Sequence, residues 1–303
     1  MYSFSCCNDN YFIIIKDDIM VYDRKTKKYI EENELGILKF AYNSVMGRCI
    51  LKPFTHKWFS NLYSKYLNSK LSKHKIKKFV IKNNIDMSEY VEKDYVSFDD
   101  FFTRDLKMNN RKLSKDKNTL VSPCDSKLSI YKIDDDVNFN IKGSIYNVND
   151  LLQDKKLASE FKDGYCLVFR LCVDDYHHYH FIDNGIVKSR KRINGKFHTV
   201  RPIAHENLKV FSENTREYTV LETENFGKVV QMEIGALMVG KICNIEKDAF
   251  KRGDEKGYFR FGGSTVLLLF KKNTINLDED ILIESSKGNE IKVKLFEEIG
   301  RRN

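Results

Sequence analysis

The stretch that most constrains this chain is Gly253-Asp254-Glu255-Lys256-Gly257-Tyr258-Phe259-Arg260-Phe261-Gly262-Gly263-Ser264-Thr265-Val266-Leu267-Leu268-Leu269-Phe270. Residues 258–261 and 266–270 are two β-rich runs. The Gly-Gly-Ser-Thr corner between them predicts a tight turn with positive φ. The same corner also has a chemical reading. The carbonyl of Gly263 has no side chain to hinder attack, and the hydroxyl of Ser264 is its immediate neighbour. With a strained turn and a base at hand, that hydroxyl can attack the preceding peptide bond. The corner is therefore either a plain hairpin turn or a place where the chain cuts itself, and the second reading needs partners elsewhere.

Composition bounds those partners. With 303 residues, 42% apolar and 31% charged, the chain can bury a sizeable core and is globular rather than disordered. A balance of 52 basic against 43 acidic residues, net +9, suits an anionic partner, either nucleic acid or a membrane surface. Lys, Asn and Ile are abundant throughout, so part of that excess is compositional. The seven cysteines are odd in number and form no Cys-x-x-Cys pair, which argues against a disulfide framework or a zinc site and for a reducing compartment. The apolar run at 11–15 is too short for a signal peptide and is followed at once by Lys16-Asp17-Asp18. No run approaches the roughly 20 apolar residues of a spanning helix, so any membrane contact is made from the side.

Residues 11–30 read as two short strands around a turn at Asp23-Arg24-Lys25. From about 35 to 82 the pattern is helical, clearest from Pro53. Phe54, Trp58, Leu62 and Tyr66 form one row, and Phe59, Tyr63, Leu67 and Leu71 the next. Lys70, Lys73, His74, Lys75, Lys77 and Lys78 follow. This is either a core-packed helix with a solvated basic face or an interfacial anchor with lysines on lipid head groups. The segment 97–107 reads as a Ser-capped helix with buried aromatics. From Thr119 the period becomes two, with strands expected at 128–132, 165–171, 185–193, 217–222, 228–234 and 239–245, and one helical interruption at 147–161. The expected fold class is α+β: a helical amino-terminal region (1–115) and a mostly antiparallel, β-sandwich-like catalytic domain (116–303).

Two segments offer the residue types that the corner needs. In Val121-Ser122-Pro123-Cys124-Asp125-Ser126-Lys127-Leu128 an aspartate follows a proline, which alone reads as a turn residue capping its own backbone. In Val173-Asp174-Asp175-Tyr176-His177-His178-Tyr179-His180-Phe181, three of the seven histidines fall within four residues. A metal site is the rival reading, because His178 and His180 share one side of a strand. No Cys or third His stands at a supporting spacing.

As a set, these segments resemble the phosphatidylserine decarboxylase family, which is self-cleaving and makes its own pyruvoyl cofactor. The likeness lies in the Gly-Asp-Glu-x-Gly-x-Phe lead-in and the Gly-Ser-Thr corner. It extends to Ser122-Pro123-Cys124-Asp125, with Ser126 where the family usually has Gly, and to Asp175, Tyr176, His177 and His180, which match Asp-Tyr-His-x-x-His. His178 falls at a variable position and is expected to face solvent. Phe98-Asp99-Asp100-Phe101-Phe102-Thr103-Arg104-Asp105-Leu106-Lys107, Gly195-Lys196-Phe197-His198-Thr199-Val200, Asn214-Thr215-Arg216 and the stretch 234–242 also look like family segments. They run in the family's order from about 98 to 270, over half the chain, and 69–75 and 84–88 look like a bacterial branch.

The resemblance implies a mechanism. Asp125 orients His180, His180 deprotonates Ser264, and the serine oxygen attacks the Gly263 carbonyl. The chain is cut between Gly263 and Ser264, and Ser264 becomes a covalent pyruvoyl group. That group forms a Schiff base with phosphatidylserine and takes up the electrons left by CO2. His177 is expected to protonate the resulting carbanion. The implied partners are phosphatidylserine, an anionic membrane surface on the cytoplasmic side, and the large and small chains associated with each other. The resemblance leaves room for a homodimer of processed protomers and gives nucleic acid no part. Three other readings stay open: an uncleaved Asp-His-Ser hydrolase, a pyruvoyl decarboxylase of a soluble amino acid, and an inactive lipid-binding relative. Holding Asp125, His180 and Ser264 together argues against the last.

Overall fold

The computed structural model describes residues 19–32, 36–141, 144–205, 208–237, 241–262 and 264–303. Gly263, Cys6, Cys7, the run at 11–15 and residues 238–240 lie outside the described residues. The strands are β1 (Ile19–Asp23), β2 (Lys28–Glu32), β3 (Thr119–Val121), β4 (Ser126–Lys132), β5 (Asn138–Ile141), β6 (Ser144–Asn147), β7 (Tyr165–Leu171), β8 (His178–His180) and β9 (Gly185–Ile193). They continue with β10 (Arg216–Thr223), β11 (Gly227–Ile234), β12 (Lys241–Asn244), β13 (Ala249–Phe250), β14 (Glu255–Arg260), β15 (Ser264–Phe270), β16 (Ile275–Leu277), β17 (Glu290–Val293) and β18 (Glu298–Arg302). Ten of them form one sheet in the order β13-β9-β10-β11-β15-β7-β4-β17-β1-β2. Its described pairs are antiparallel except β1 with β17. The expected α+β class holds.

Every side chain of β15 is buried. A strand covered on both faces needs no alternation, which is why its sequence is a continuous apolar run rather than a period of two. β7 is buried almost throughout, whereas β9 nearer the edge is largely exposed. β12, β14 and β8 form a second, three-stranded sheet in that order. The two sheets meet at a buried ion pair in which Lys256 Nζ, from a bulge in β14, reaches Glu233 Oε2 on β11 at 2.8 Å. Asn244 Oδ1 accepts from the same ammonium at 3.0 Å. Burial pushes the Glu233 carboxyl up and the Lys256 ammonium down, each against the pull of the other.

Ahead of the sheet come α1 (Gly36–Asn43), α2 (Val45–Leu51), α3 (Lys57–Leu67), α4 (Lys75–Lys82) and α5 (Phe98–Phe102). α5 starts where the Ser97 hydroxyl accepts from the Asp100 N–H, and it buries Phe98, Phe101 and Phe102. These rings join Leu67, Tyr95, Tyr63, Phe79 and Phe261 in an aromatic cluster, so α3 and α4 are packed over the strand that leads into the Gly-Gly corner. The helical stretch expected from Pro53 is shorter in fact. Residues 52–55 form a 3-10 turn and α3 begins only after His56. Leu67 is buried while Phe54, Trp58 and Leu62 stay exposed, and the exposed apolar set reaches back to Val45, Met46 and Ile50 on α2.

Most expected strands lie within a residue or two of the observed ones. The helical interruption at 147–161 is two short helices, α6 (Val148–Leu152) and α7 (Lys155–Ser159), parted by Gln153 in the left-handed region. It is not the one interruption: the short helices α8 (Pro202–His205) and α9 (Val210–Glu213) follow, and α10 (Glu279–Ser286) sits near the end with two acids in its first turn.

The Lys256–Glu233 pair gives a stability test. Lys256→Met leaves a buried carboxylate without its cation and should cost about 3–5 kcal/mol, read as a lower unfolding midpoint. Adding Glu233→Leu removes the stranded charge and should recover most of the loss. A single variant as stable as the parent would show that the pair does not hold the two sheets together.

Candidate active site

The strand register brings the separate sequence motifs to one end of the large sheet. Ser264, the first residue of β15, pairs with Leu171, the last of β7. On the far side of β7, Lys127 pairs with Arg170, which puts the start of β4 beside the end of β7. Asp125 immediately precedes β4, and the Asp175–His180 motif follows β7, its first half in the connecting loop and His178–His180 forming β8. On the other flank Thr265 pairs with Ile234, and the Gly235 N–H donates to the Thr215 carbonyl at 2.9 Å. The Asn214 amide then donates to both His198 O and Gly235 O at 2.8 Å. The segments 195–200, 214–216 and 234–237 therefore close the same end.

Ser264 is fully buried, and its Oγ has no hydrogen-bond partner; the same is true of Thr265 Oγ1. A buried hydroxyl without a partner is costly, because it has lost water and gained nothing in return. The corner before it has Gly262 at φ 130°, a conformation that disfavours a side chain, as the paired glycines led one to expect.

The two histidines singled out after β7 have different surroundings. The His177 Nδ1 lies 2.8 Å from the Asp175 carbonyl. A carbonyl only accepts, so Nδ1 carries the proton and Nε2 keeps its lone pair, with no partner. The ring sits 4.2 Å from Phe102, which in turn lies 5.0 Å from Phe261, two residues short of Gly263. Burial lowers the His177 pKa to about 3. His180 is tied to the Asp125 segment through its own N–H, which donates to Pro123 O at 2.9 Å. Its ring meets Phe296 edge-on at 5.2 Å, and its Nδ1 has no partner. Burial again dominates, lowering its pKa to about 4 against the opposing charges of Glu255 and Asp125.

Asp125 is fully buried, but its carboxylate makes no hydrogen bond to His180. Its oxygens accept from the Leu295 N–H at 2.7 Å, Lys294 Nζ at 2.9 Å and Arg111 Nη2 at 3.2 Å. Asp125 thus acts on His180 here by charge and not by contact, because three donors already occupy it. These donors escaped the sequence reading: Arg111 and the Lys294-Leu295 pair lie outside every motif, and no local pattern marks them. Ser126 stands where a glycine was usual and fits without strain, in ordinary extended backbone paired with Val293. His178, expected in solvent, is instead buried. It is stacked between Tyr176 at 4.5 Å and Tyr258 at 5.1 Å, with Nδ1 3.0 Å from Glu255 Oε1. A variable motif position says nothing about burial, and the neighbouring tyrosines supply it.

An unbonded buried hydroxyl and two imidazoles kept neutral, on segments that meet at one end of the sheet, are the groups that acyl transfer needs: one gives a proton and the other can take it. Comparisons with known proteins point to one family. The family model described as "Phosphatidylserine decarboxylase" matches residues 98–301. The chain is 54% identical to "Phosphatidylserine decarboxylase proenzyme 2" of Clostridium acetobutylicum over 94% of its own length and 99% of that protein. It is 44% identical to the "Phosphatidylserine decarboxylase proenzyme" of Clostridium tetani, covering 94% and 98%. To that of Clostridium perfringens it is 41% identical, covering 94% and 100%.

The neutral histidines make an acid-stability prediction. Unfolded, each titrates near 6.5; folded, at about 3 and about 4. Between those values the unfolded chain binds protons that the native chain refuses, so stability is complete above about pH 6.5 and falls as pH drops. Denaturant titrations at pH 7 and pH 5 should show the loss. His177→Gln should flatten the slope over that interval by about 1 kcal/mol per pH unit. Equal slopes in parent and variant would mean that His177 is not held neutral.

Proposed function

The chain belongs to the phosphatidylserine decarboxylase family, a family of carboxy-lyases, and on that premise we propose that it cuts itself before Ser264 and then removes CO2 from phosphatidylserine. One observation carries the reading: the hydroxyl of Ser264 is buried without a partner at the head of β15, at the sheet end to which the strand register also brings Asp125 and the histidine segment. That environment fits a residue consumed to make a cofactor better than one that packs.

In the cutting step His180 takes the Ser264 hydroxyl proton, and Oγ attacks the Gly263 carbonyl, so that the amide becomes an ester and the Ser264 nitrogen is freed as an amine. Loss of the Ser264 α-proton then expels the Gly263 carboxylate. The dehydroalanine left behind hydrolyses to a pyruvoyl group and ammonia. Asp125 supports the imidazolium of His180 through its charge, and Lys294, Arg111 and the Leu295 N–H hold the carboxylate in place. The pyruvoyl group supplies an electron-withdrawing carbonyl for the electron pair that decarboxylation leaves. His177, with Nε2 bare, accepts a proton from the substrate's ammonium and returns it to the carbon from which CO2 has departed.

The reading places the protein on the membrane periphery, on the cytoplasmic side, with helices of the amino-terminal region (1–115) facing lipid and 116–303 carrying the chemistry. No helix among the described residues is long and apolar enough to cross a membrane. Val45, Met46, Ile50, Phe54, Trp58 and Leu62 form an exposed apolar set on α2, α3 and the turn between them. That turn touches the site, because Phe197 donates its N–H to Thr55 O at 3.1 Å. The basic cluster is less free than its sequence suggests: Lys73 pairs with Asp94 at 2.7 Å, and Lys75 lies over the Tyr66 ring.

Ser264→Ala should stay one 35.7 kDa chain, fold, and release no CO2 from phosphatidylserine, while the unaltered protein shows two chains by denaturing electrophoresis. The smaller chain should resist Edman sequencing and react with hydroxylamine. An uncut protein that hydrolyses esters through Ser264 would establish the hydrolase reading instead. His180→Ala should remain uncut, and His177→Ala should be cut but turn over poorly. Trp58→Ser with Leu62→Ser should weaken binding to anionic vesicles at all salt concentrations. Replacing Lys70, Lys77 and Lys78 by Gln should matter only at low salt, at about 1 kcal/mol per lysine.

A further inference from the structure

We propose that Lys127 is a positioning residue for turnover: through the Asp175 carboxylate, its ammonium sets the turn whose backbone carbonyl fixes the tautomer of His177. The inference rests on the proposed role of His177 in the decarboxylation.

Lys127 is the second residue of β4, and its side chain is buried. Its Nζ meets Asp175 Oδ2 at 2.8 Å, with both side chains less than a tenth exposed. The same oxygen accepts the Cys172 N–H at 2.7 Å, and the Asp175 N–H returns to Cys172 O at 3.0 Å. One carboxylate oxygen thus closes the 172–175 turn and anchors it to β4. Among the described residues no other cation is within ion-pair distance of Asp175. The nearby Arg170 is taken up by Glu290, Glu32 and the Cys172 thiol. A buried carboxylate held by a single cation has little freedom, because any looser geometry strands a charge in the interior.

The turn places the imidazole two residues further on. The next acceptor along the chain is the Asp175 carbonyl, 2.8 Å from His177 Nδ1. That bond keeps the proton on Nδ1 and leaves Nε2 bare, the form able to accept a proton from substrate. The ring's other neighbours do not select a tautomer. Phe102 packs on it, and Arg104 bonds the Asp174 carbonyl at 3.4 Å rather than the imidazole. Lys127 therefore acts on the proton-carrying nitrogen from two links away and touches neither the ring nor Ser264 by any hydrogen bond.

The test begins with the uncut Ser264→Ala chain labelled with 15N-histidine. Its imidazole nitrogen shifts should show His177 as the Nδ1–H tautomer. Adding Lys127→Met should give a mixture with Nε2–H, and Lys127→Arg should restore Nδ1–H. In protein with Ser264 intact, Lys127→Met should still be cut into two chains. Its kcat should fall about 10- to 100-fold with KM little changed, and Lys127→Arg should recover most of that. If Lys127→Met does not fold, Asp175→Asn takes its place, since it keeps the carbonyl and drops the charge pair. An unchanged His177 tautomer in the variant overturns the proposal, as does a shifted tautomer with full turnover. Decarboxylation by Ser264→Ala would instead overturn the functional reading and leave the tautomer result standing.

Discussion

Ser264 begins a strand whose seven side chains are all buried and whose two edges are bonded to β7 and β11. A polar atom in that position can reach only what neighbouring strand ends bring to it. The register therefore does most of the assembly. Antiparallel pairing puts the head of β15, the tail of β7 and the head of β4 at one sheet end, and each of those termini carries a motif. Without that coincidence of strand ends, Asp125, the histidine segment and the serine would be distant groups on an ordinary sheet.

Exclusion of water results from the same burial and sets the character of the chemistry. In water an imidazole is partly protonated near neutrality; here desolvation keeps both His177 and His180 as bases. The cost is a set of unpaired polar atoms, among them Ser264 Oγ, His177 Nε2 and His180 Nδ1. The surrounding ion pairs, Lys127 with Asp175 and Lys256 with Glu233, each hold their charges at 2.8 Å.

Much of this was legible in the chain. The β runs at 165–171 and 185–193 were read at their observed bounds, and the Gly-Gly corner announced its positive φ. His177 and His180 stood out because three histidines cluster in a way a core does not need, whereas Asp125 and Ser264 read locally as turn residues and gained their roles from the family resemblance. What stayed hidden depended on pairing across long sequence distances. Nothing local says that β1 joins the sheet by a parallel pairing with β17, or that Lys294 and Arg111 converge on Asp125. His178 was misplaced for the same reason, since Tyr258 lies far along the chain from it. The helical reading ran on through Pro53 because a row of aromatics keeps its spacing across a 3-10 turn.

The sheet order has a mechanical consequence for a chain divided before Ser264. The carboxy-terminal piece would own β15, clasped between β11 and β7, and β17, clasped between β4 and β1. Two of its strands are thus interleaved with strands of the other piece. No plane parts the halves without breaking backbone ladders in the middle of the core. Dissociation and unfolding become one event, and refolding becomes bimolecular, so dilution works against it. Such a molecule is built once: its shape outlasts the covalent continuity that produced it, and heating turns a reversible transition into a permanent one.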